Sequence, residues 1–247
     1  MISLTPDVVG KTTVTITINN KTFQVNINTL GVDVPNSLLL STKQKKQITV
    51  KGINGIKWNS SNSSVVSVSK NGTIYAKKTG NAVLIGTLGD LQLGCAVSVV
   101  TPARKRTVQK AIQIAKTCTY SQPKRMQEKF YDCSSLVWKS YHKNGVNFGM
   151  ANYAPVAADM GKWCAQHKKL VSGGLSQANI QNMKLNPGDV MFETGQKNGR
   201  YKGIYHVEMI TGYIFYGFDG NGKAELGIQW AAGDEKYYPM GQMVGRP

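Results

Sequence analysis

Cys133 and His206 are the residues whose type and setting first suggest chemistry. Cys133 lies in Phe130-Tyr131-Asp132-Cys133-Ser134-Ser135-Leu136-Val137-Trp138, where Asp and Ser flank a thiol just before an apolar-periodic run. The pattern predicts Cys133 at or near a helix N-terminus, where exposed N–H groups and the positive dipole end favour a thiolate. A thiolate nucleophile calls for an imidazole to hold its proton. His206 opens a strand-like run, Tyr205-His206-Val207-Glu208-Met209-Ile210-Thr211-Gly212-Tyr213, after a Gly-rich loop. A His there can aim across at a helix N-terminus once the chain folds. Glu208 shares its side of a strand with His206, which leaves a modulating role open. His142 and His167 fall on predicted helices beside Lys143, Lys168 and Lys169 and read as solvated surface. The bland alternatives are a buried structural thiol at Cys133 and a satisfied core histidine at His206.

The other cysteines read differently. Cys95 alternates inward with Val97 and Val99, as a small buried hydrophobe does. Cys164, beside Trp163, reads as core, and Cys118 lies just before Tyr120 at the border of a cleft. Four cysteines without a C-x-x-C pair exclude a disulfide scaffold and make zinc a poor expectation.

The elements that must position these groups fall into two textures. Residues 1–100 are rich in Val, Ile, Thr, Ser and Asn and alternate with period two, as in Thr13-Val14-Thr15-Ile16-Thr17-Ile18. Asn19-Asn20, Asn54-Gly55, Asn71-Gly72 and Gly89-Asp90 punctuate them as turns, which predicts a β-sandwich. Residues 101–106, Thr-Pro-Ala-Arg-Lys-Arg, read as a polar linker. Beyond it, Val108, Ala111, Ile112 and Ala115 fit a helix, with further helices from Cys133 or Ser134 through His142 and from about Pro155 to about Lys169. A Gly/Ser/Asn-rich stretch, 172–182, precedes strand-like runs at Asp189–Glu193, Tyr205–Tyr213 and Ala224–Ala231. Helices followed by strands predict an α+β domain.

Composition bounds the partners. The chain has 247 residues, 30 Lys+Arg against 13 Asp+Glu, a formal charge of +17, and 41% hydrophobic residues. That is apolar enough for a core, and no run reaches the 18 apolar residues of a spanning helix. The start, Met1-Ile2-Ser3-Leu4-Thr5-Pro6-Asp7, shows no signal-peptide pattern. The charge predicts attraction to polyanions. No nucleic-acid-binding motif accompanies it, so specific nucleic-acid recognition is not expected.

Two resemblances follow from these residues. From Ser37 to Val100 the chain resembles a bacterial immunoglobulin-like (Big-type) repeat, on Ile56-Lys57-Trp58-Asn59-Ser60-Ser61-Asn62, Val65, Val68, Asn71-Gly72-Thr73-Ile74-Tyr75-Ala76-Lys77, Gly80 and Cys95-Ala96-Val97-Ser98-Val99. Trp58 is the expected core anchor. A faint echo sets Gly10, Val14, Phe23, Val25 and Ile27 against Gly80, Leu84, Leu93, Cys95 and Val97. Residues 1–32 then read either as the second half of a preceding repeat, within a longer protein, or as a β-hairpin that aligns by chance.

The second half resembles the NlpC-type cell-wall cysteine peptidases of the papain-like superfamily. Tyr131 to Val137 match the family's nucleophile motif, His206 to Gly212 its histidine motif, Leu185 to Phe192 the intervening Leu-x-Pro-Gly-Asp motif, and Tyr120 its upstream tyrosine. The resemblance implies two domains, an all-β immunoglobulin-like sandwich (33–100) followed by an α+β papain-like domain (107–247). It implies Cys133 as nucleophile and His206 as acid–base, with Tyr120, Asp132 and Ser134 lining the substrate site. The third catalytic position, often His in the family, falls on Gln229, with Asp234 as its rival. No metal or other cofactor is implied.

The expected activity is hydrolysis of a peptide bond in the stem peptide or cross-bridge of bacterial peptidoglycan, of the D-γ-glutamyl-diamino acid type. An N-acetylmuramoyl-L-alanine amidase and a wall-binding adhesin or phage tail module with an inactive peptidase domain are the alternatives. The expected place is the cell wall, the extracellular space or a phage virion, as in an endolysin or a secreted autolysin, with anionic wall polymers as further partners and no membrane.

Overall fold

A computed structural model describes residues 10–29, 31–51, 54–233 and 238–247. The first elements are β1 (Gly10–Ile18) and β2 (Lys21–Thr29), an antiparallel hairpin. Its turn residues Asn19 and Asn20 have φ of 51° and 59°, the left-handed pair that Asn tolerates and a two-residue hairpin turn requires. There follow β3 (Gly31–Asp33), β4 (Ser37–Ser41), β5 (Lys45–Gln47), β6 (Thr49–Lys51), β7 (Lys57–Ser60), β8 (Val66–Val68), β9 (Thr73–Ala76), β10 (Gly80–Leu88) and β11 (Leu91–Val100). They form a four-stranded sheet, β4-β11-β10-β7, a three-stranded sheet, β5-β9-β8, and the pair β3-β6.

Between the two larger sheets lie Leu40, Ile48, Val66, Ile74, Leu84, Cys95 and Val97, all buried. Alternation along each strand is what delivers them to one side. The turn before β9 needs Gly72, whose φ is 79° and where a Cβ would stand 2.4 Å from the Ile48 carbonyl oxygen. Trp58 departs from expectation. It is only half-buried and packs at the margin of this core, whose centre is aliphatic.

The expected linker does not exist as one. Thr101 caps a helix, α1 (Pro102–Thr117), its Oγ1 accepting from the Arg104 N–H at 3.2 Å. A Thr-Pro pair suits the N-cap and first turn of a helix as well as it suits a loop. The basic run is part of that helix. Arg104 and Arg246 both pair with the fully buried Asp189, at 2.9 and 2.7 Å, tying α1 and the chain end to one carboxylate.

The remaining elements are β12 (Thr119–Tyr120), β13 (Phe130–Tyr131), α2 (Cys133–His142), α3 (Ala157–Gln166), α4 (Gln177–Gln181), β14 (Val190–Thr194), β15 (Ile204–Phe218), β16 (Ala224–Trp230) and β17 (Met243–Gly245). An antiparallel sheet of order β16-β15-β14-β17 is their backbone. Helices α1, α2 and α3 cover one face through Val108, Ile114, Leu136, Val137 and Met160, against Phe192, Val207 and Met209.

The other face is shared with the first half of the chain. Val83 and Ala96 are buried together with Ile210, Tyr213, Phe215 and Leu226. The Asn36 carbonyl accepts from the Ala96 N–H (3.2 Å) and the Phe215 N–H (3.0 Å), and Asn81 Nδ2 donates to the Leu185 carbonyl at 2.9 Å. Gly94 permits the closest approach, since a Cβ there would sit 2.2 Å from the Phe215 ring. The two regions are thus joined by a continuous apolar layer as well as by peptide bonds.

Candidate active site

Helix α2 begins at Cys133 because the residues around it satisfy its open N–H groups. Asp132 Oδ1 accepts from the Ser135 N–H at 2.7 Å, and Ser135 Oγ accepts from the Asp132 N–H at 2.8 Å. This reciprocal cap fixes where the helix starts. Arg125 braces it from outside, Nη1 donating to Asp132 Oδ2 (2.9 Å) and Ser134 Oγ (3.0 Å) and Nη2 to the Ala154 carbonyl. Asp132 is 4% exposed and Ser134 2%. Their side chains are committed to this brace, so the two expected substrate contacts act first as supports for Cys133.

Cys133 has neighbours that stabilise negative charge: the backbone N–H groups of Val207 and Ser134 and the Tyr120 hydroxyl all lower its pKa. Burial raises it and is the largest effect, with a smaller upward push from Asp132, so the thiol stands above its ordinary value. The helix terminus works in the expected direction but does not overcome desolvation. The side chain therefore rests as a thiol and requires a base to become a nucleophile.

An imidazole is close by construction. Val207, whose N–H addresses the Cys133 sulfur, is the neighbour of His206 on β15. His206 and Cys133 line one cavity of about 300 Å³ with Tyr120, Tyr131, Glu208 and Tyr238. On His206, Nε2 faces the Tyr238 hydroxyl at 3.4 Å and Glu208 Oε2 at 4.0 Å. The Tyr238 ring lies parallel to the imidazole at 6.1 Å. Burial, and next the Glu208 charge, push the Tyr238 phenol well above its usual range, so it stays protonated. Glu208 is 4% exposed and is held by the Met209 N–H at 2.9 Å and the Ala232 N–H at 3.3 Å. A carboxylate beside Nε2 favours the tautomer with hydrogen there and leaves the Nδ1 lone pair to take a proton.

Tyr120 stands at the mouth, 52% exposed, edge-on to Tyr131 at 5.5 Å. A second cavity of about 310 Å³ opens on the far side of Cys133, bordered by Gln122, Arg125, Tyr153, Arg200 and Tyr205. Cys133 thus borders two hollows.

Gln229 does not join this group. It lies opposite Gly212 on β16, and its Oε1 accepts from Ser37 Oγ at 2.8 Å, on the side of the sheet that meets the first half of the chain. The pairing of β15 with β16 shifts between Ile210 and Gly212, a local irregularity that sequence spacing does not reveal. Asp234 lies outside the described residues. The neighbour that sequence reading passed over is Tyr238, beyond the last expected strand, whereas Glu208, read there with a modulating role left open, stands 4.0 Å from His206 Nε2. The spacing of His206 and Glu208 was the available signal for the latter. His142 and His167 stack on Trp138 and Trp163, at 4.1 and 4.3 Å, away from the cavity.

Residues 34–99 match the family model for the bacterial Ig-like domain, group 2, and form such a domain. No curated protein matches the chain. Among solved structures, it is similar to a bacterial Ig-like domain containing GH10 xylanase from termite gut, at 22% identity over 26% of this chain and 18% of that one, with a TM-score of 0.25. It is similar to domains 4 and 5 of the S-layer protein SbsC, at 18% identity over 40% of this chain and 62% of that one, TM-score 0.24. It is also similar to an EHEC O157:H7 intimin mutant, at 15% identity over 45% and 61%, TM-score 0.23. The chain spans less than two thirds of each.

Proposed function

We propose that the chain is a cysteine peptidase of the papain-like, NlpC-type class that cleaves a peptide bond in bacterial peptidoglycan. The observation that supports it is the convergence of Cys133 and His206 on one cavity, the thiol at a capped helix start and the imidazole flanked by a buried carboxylate.

In this reading His206 Nδ1 takes the Cys133 proton as the sulfur attacks the substrate carbonyl. The Cys133 N–H at the start of α2, which the Asp132–Ser135 cap does not use, stabilises the oxyanion. Glu208 and Tyr238 hold the ring and stabilise the imidazolium that forms. The imidazolium then protonates the leaving amine, the thioester is left on Cys133, and His206 activates water to release it. The substrate is a stem peptide or cross-bridge, with the D-γ-glutamyl bond to a diamino acid as the bond proposed. The +17 charge concentrates the protein on anionic wall polymers at a cell wall, outside the cell or on a virion.

The test is clearing of purified Gram-positive walls, with mass spectrometry of the released fragments. Wild type clears, Cys133→Ser does not, and the new termini name the bond. Equal clearing by both proteins refutes the cysteine mechanism, and a new L-alanine terminus moves the activity to amidase.

A further inference from the structure

The hairpins β1–β2 and β10–β11 are built alike. Both turn in two residues, Asn19-Asn20 and Gly89-Asp90, and the register of one becomes that of the other on adding 70 to each number. Gly10↔Thr29 becomes Gly80↔Val99, Val14↔Val25 becomes Leu84↔Cys95, and Ile18↔Lys21 becomes Leu88↔Leu91. The sidedness agrees as well. In β10–β11 the face carries Ala82, Leu84, Cys95 and Val97, all four buried and covered by side chains from residues 40–76. The matching face of β1–β2 carries Val14, Ile16, Phe23, Val25 and Ile27. Its opposite face is polar, with Thr13 donating to Asn26 at 2.8 Å and Thr17 beside Thr22 at 3.4 Å. Yet Phe23 is 52% exposed and Val25 46%. A two-stranded hairpin is marginal in water, and a one-sided apolar surface of this kind marks a place where something packs.

We propose that β1–β2 is the closing hairpin of a second Ig-like sandwich, whose apolar face receives a strand set equivalent to residues 34–79. The covered hairpin supplies the template, since there the covering strands directly precede the hairpin they cover. A second copy of the chain is the poorer occupant. Its own residues 40–76 are engaged against its own β10–β11, so it offers only another open hairpin.

The experiment places a copy of residues 34–79 directly ahead of Gly10 in the full chain, the junction that Thr79 makes with Gly80, and follows amide hydrogen exchange. The expected result is slowing on the order of 100-fold across β1–β2, with β10–β11 unchanged. Val25→Asp, at the position matching buried Cys95, should cancel the slowing and spare β10–β11. Unchanged exchange in β1–β2 overturns the proposal. So does an unextended chain that sediments as a dimer and loses hairpin protection on dilution. If the extended chain does not fold, Val25→Asp in the unextended chain decides. Unaltered melting fits an open face, and a clear loss shows the face already covered within this chain, which refutes the proposal.

Discussion

Arg125→Met tests how the start of α2 is held. The substitution removes the guanidinium from Asp132 while keeping most of the side-chain volume. Asp132 is 4% exposed, so the carboxylate cannot recover its hydration without local opening. Breaking a buried ion pair by deleting one partner costs about 3–5 kcal/mol. Two terms pull against each other at this site. Asp132 keeps the Ser135 N–H at 2.7 Å, which softens the loss, whereas Ser134 and the Ala154 carbonyl lose a donor each, at about 1 kcal/mol apiece. Arg125 Nε has no hydrogen-bond partner, so its removal returns a little. The lower end, about 3 kcal/mol, is the expected loss, or roughly 6–12 °C in Tm for a chain of this size. Adding Asp132→Asn removes the stranded charge and keeps a capping oxygen, so the double variant should regain about half of the loss. Urea unfolding of the wild type, both single variants and the double variant gives the coupling energy directly. A loss below about 1 kcal/mol for Arg125→Met, or a double variant at the sum of the singles, refutes the brace.

Four further outcomes are expected. Glu208→Gln should lower kcat at least tenfold on a wall peptide with little change in KM, whereas Gln229→Ala should leave kinetics within twofold and cost about 1 kcal/mol of stability through its lost bond to Ser37; the reverse pattern returns the orienting role to Gln229. Iodoacetamide at pH 8 should label Cys118 and Cys133 and spare Cys95 and Cys164, whose thiols burial pushes from 9.0 up to about 12. Because those folded values lie above the unfolded one, this contribution to stability is complete below pH 9 and declines as the pH rises toward 12, which alkaline melting curves measure. Residues 107–247 alone, a fragment that the sequence suggests is self-sufficient, should aggregate, since the cut removes the start of α1 and uncovers Tyr213, Phe215 and Leu226; a soluble monomer with a cooperative melt refutes the shared core.

Local features of the sequence carried most of what the fold repeats. Asp132-Cys133-Ser134-Ser135 encodes a helix start in four residues, and α2 begins there because its cap is made by immediate neighbours. The alternation of β1, β10 and β11 is likewise visible without tertiary knowledge. What escaped was set by distant partners. Thr101-Pro102 reads as a loop until Asp189 supplies a reason for Arg104 to sit on a helix. Gln229 sits on a strand paired with β15, which also carries His206, but a register shift and a serine far away in the chain decide where its side chain goes. Trp58 is the largest side chain of its segment, yet the sandwich fills its centre with Ile48, Ile74 and Leu84.

The length of β15 has a mechanical consequence. The strand carries His206 near one end and, about 30 Å along at roughly 3.3 Å per residue, presents Phe215 to Gly94 of the Ig-like domain. The Asn36 carbonyl grips the Phe215 N–H at the same point. A pull on the Ig-like domain enters the very strand that holds the imidazole. Tension on that domain and the placing of the imidazole beside Cys133 are therefore borne by one continuous backbone.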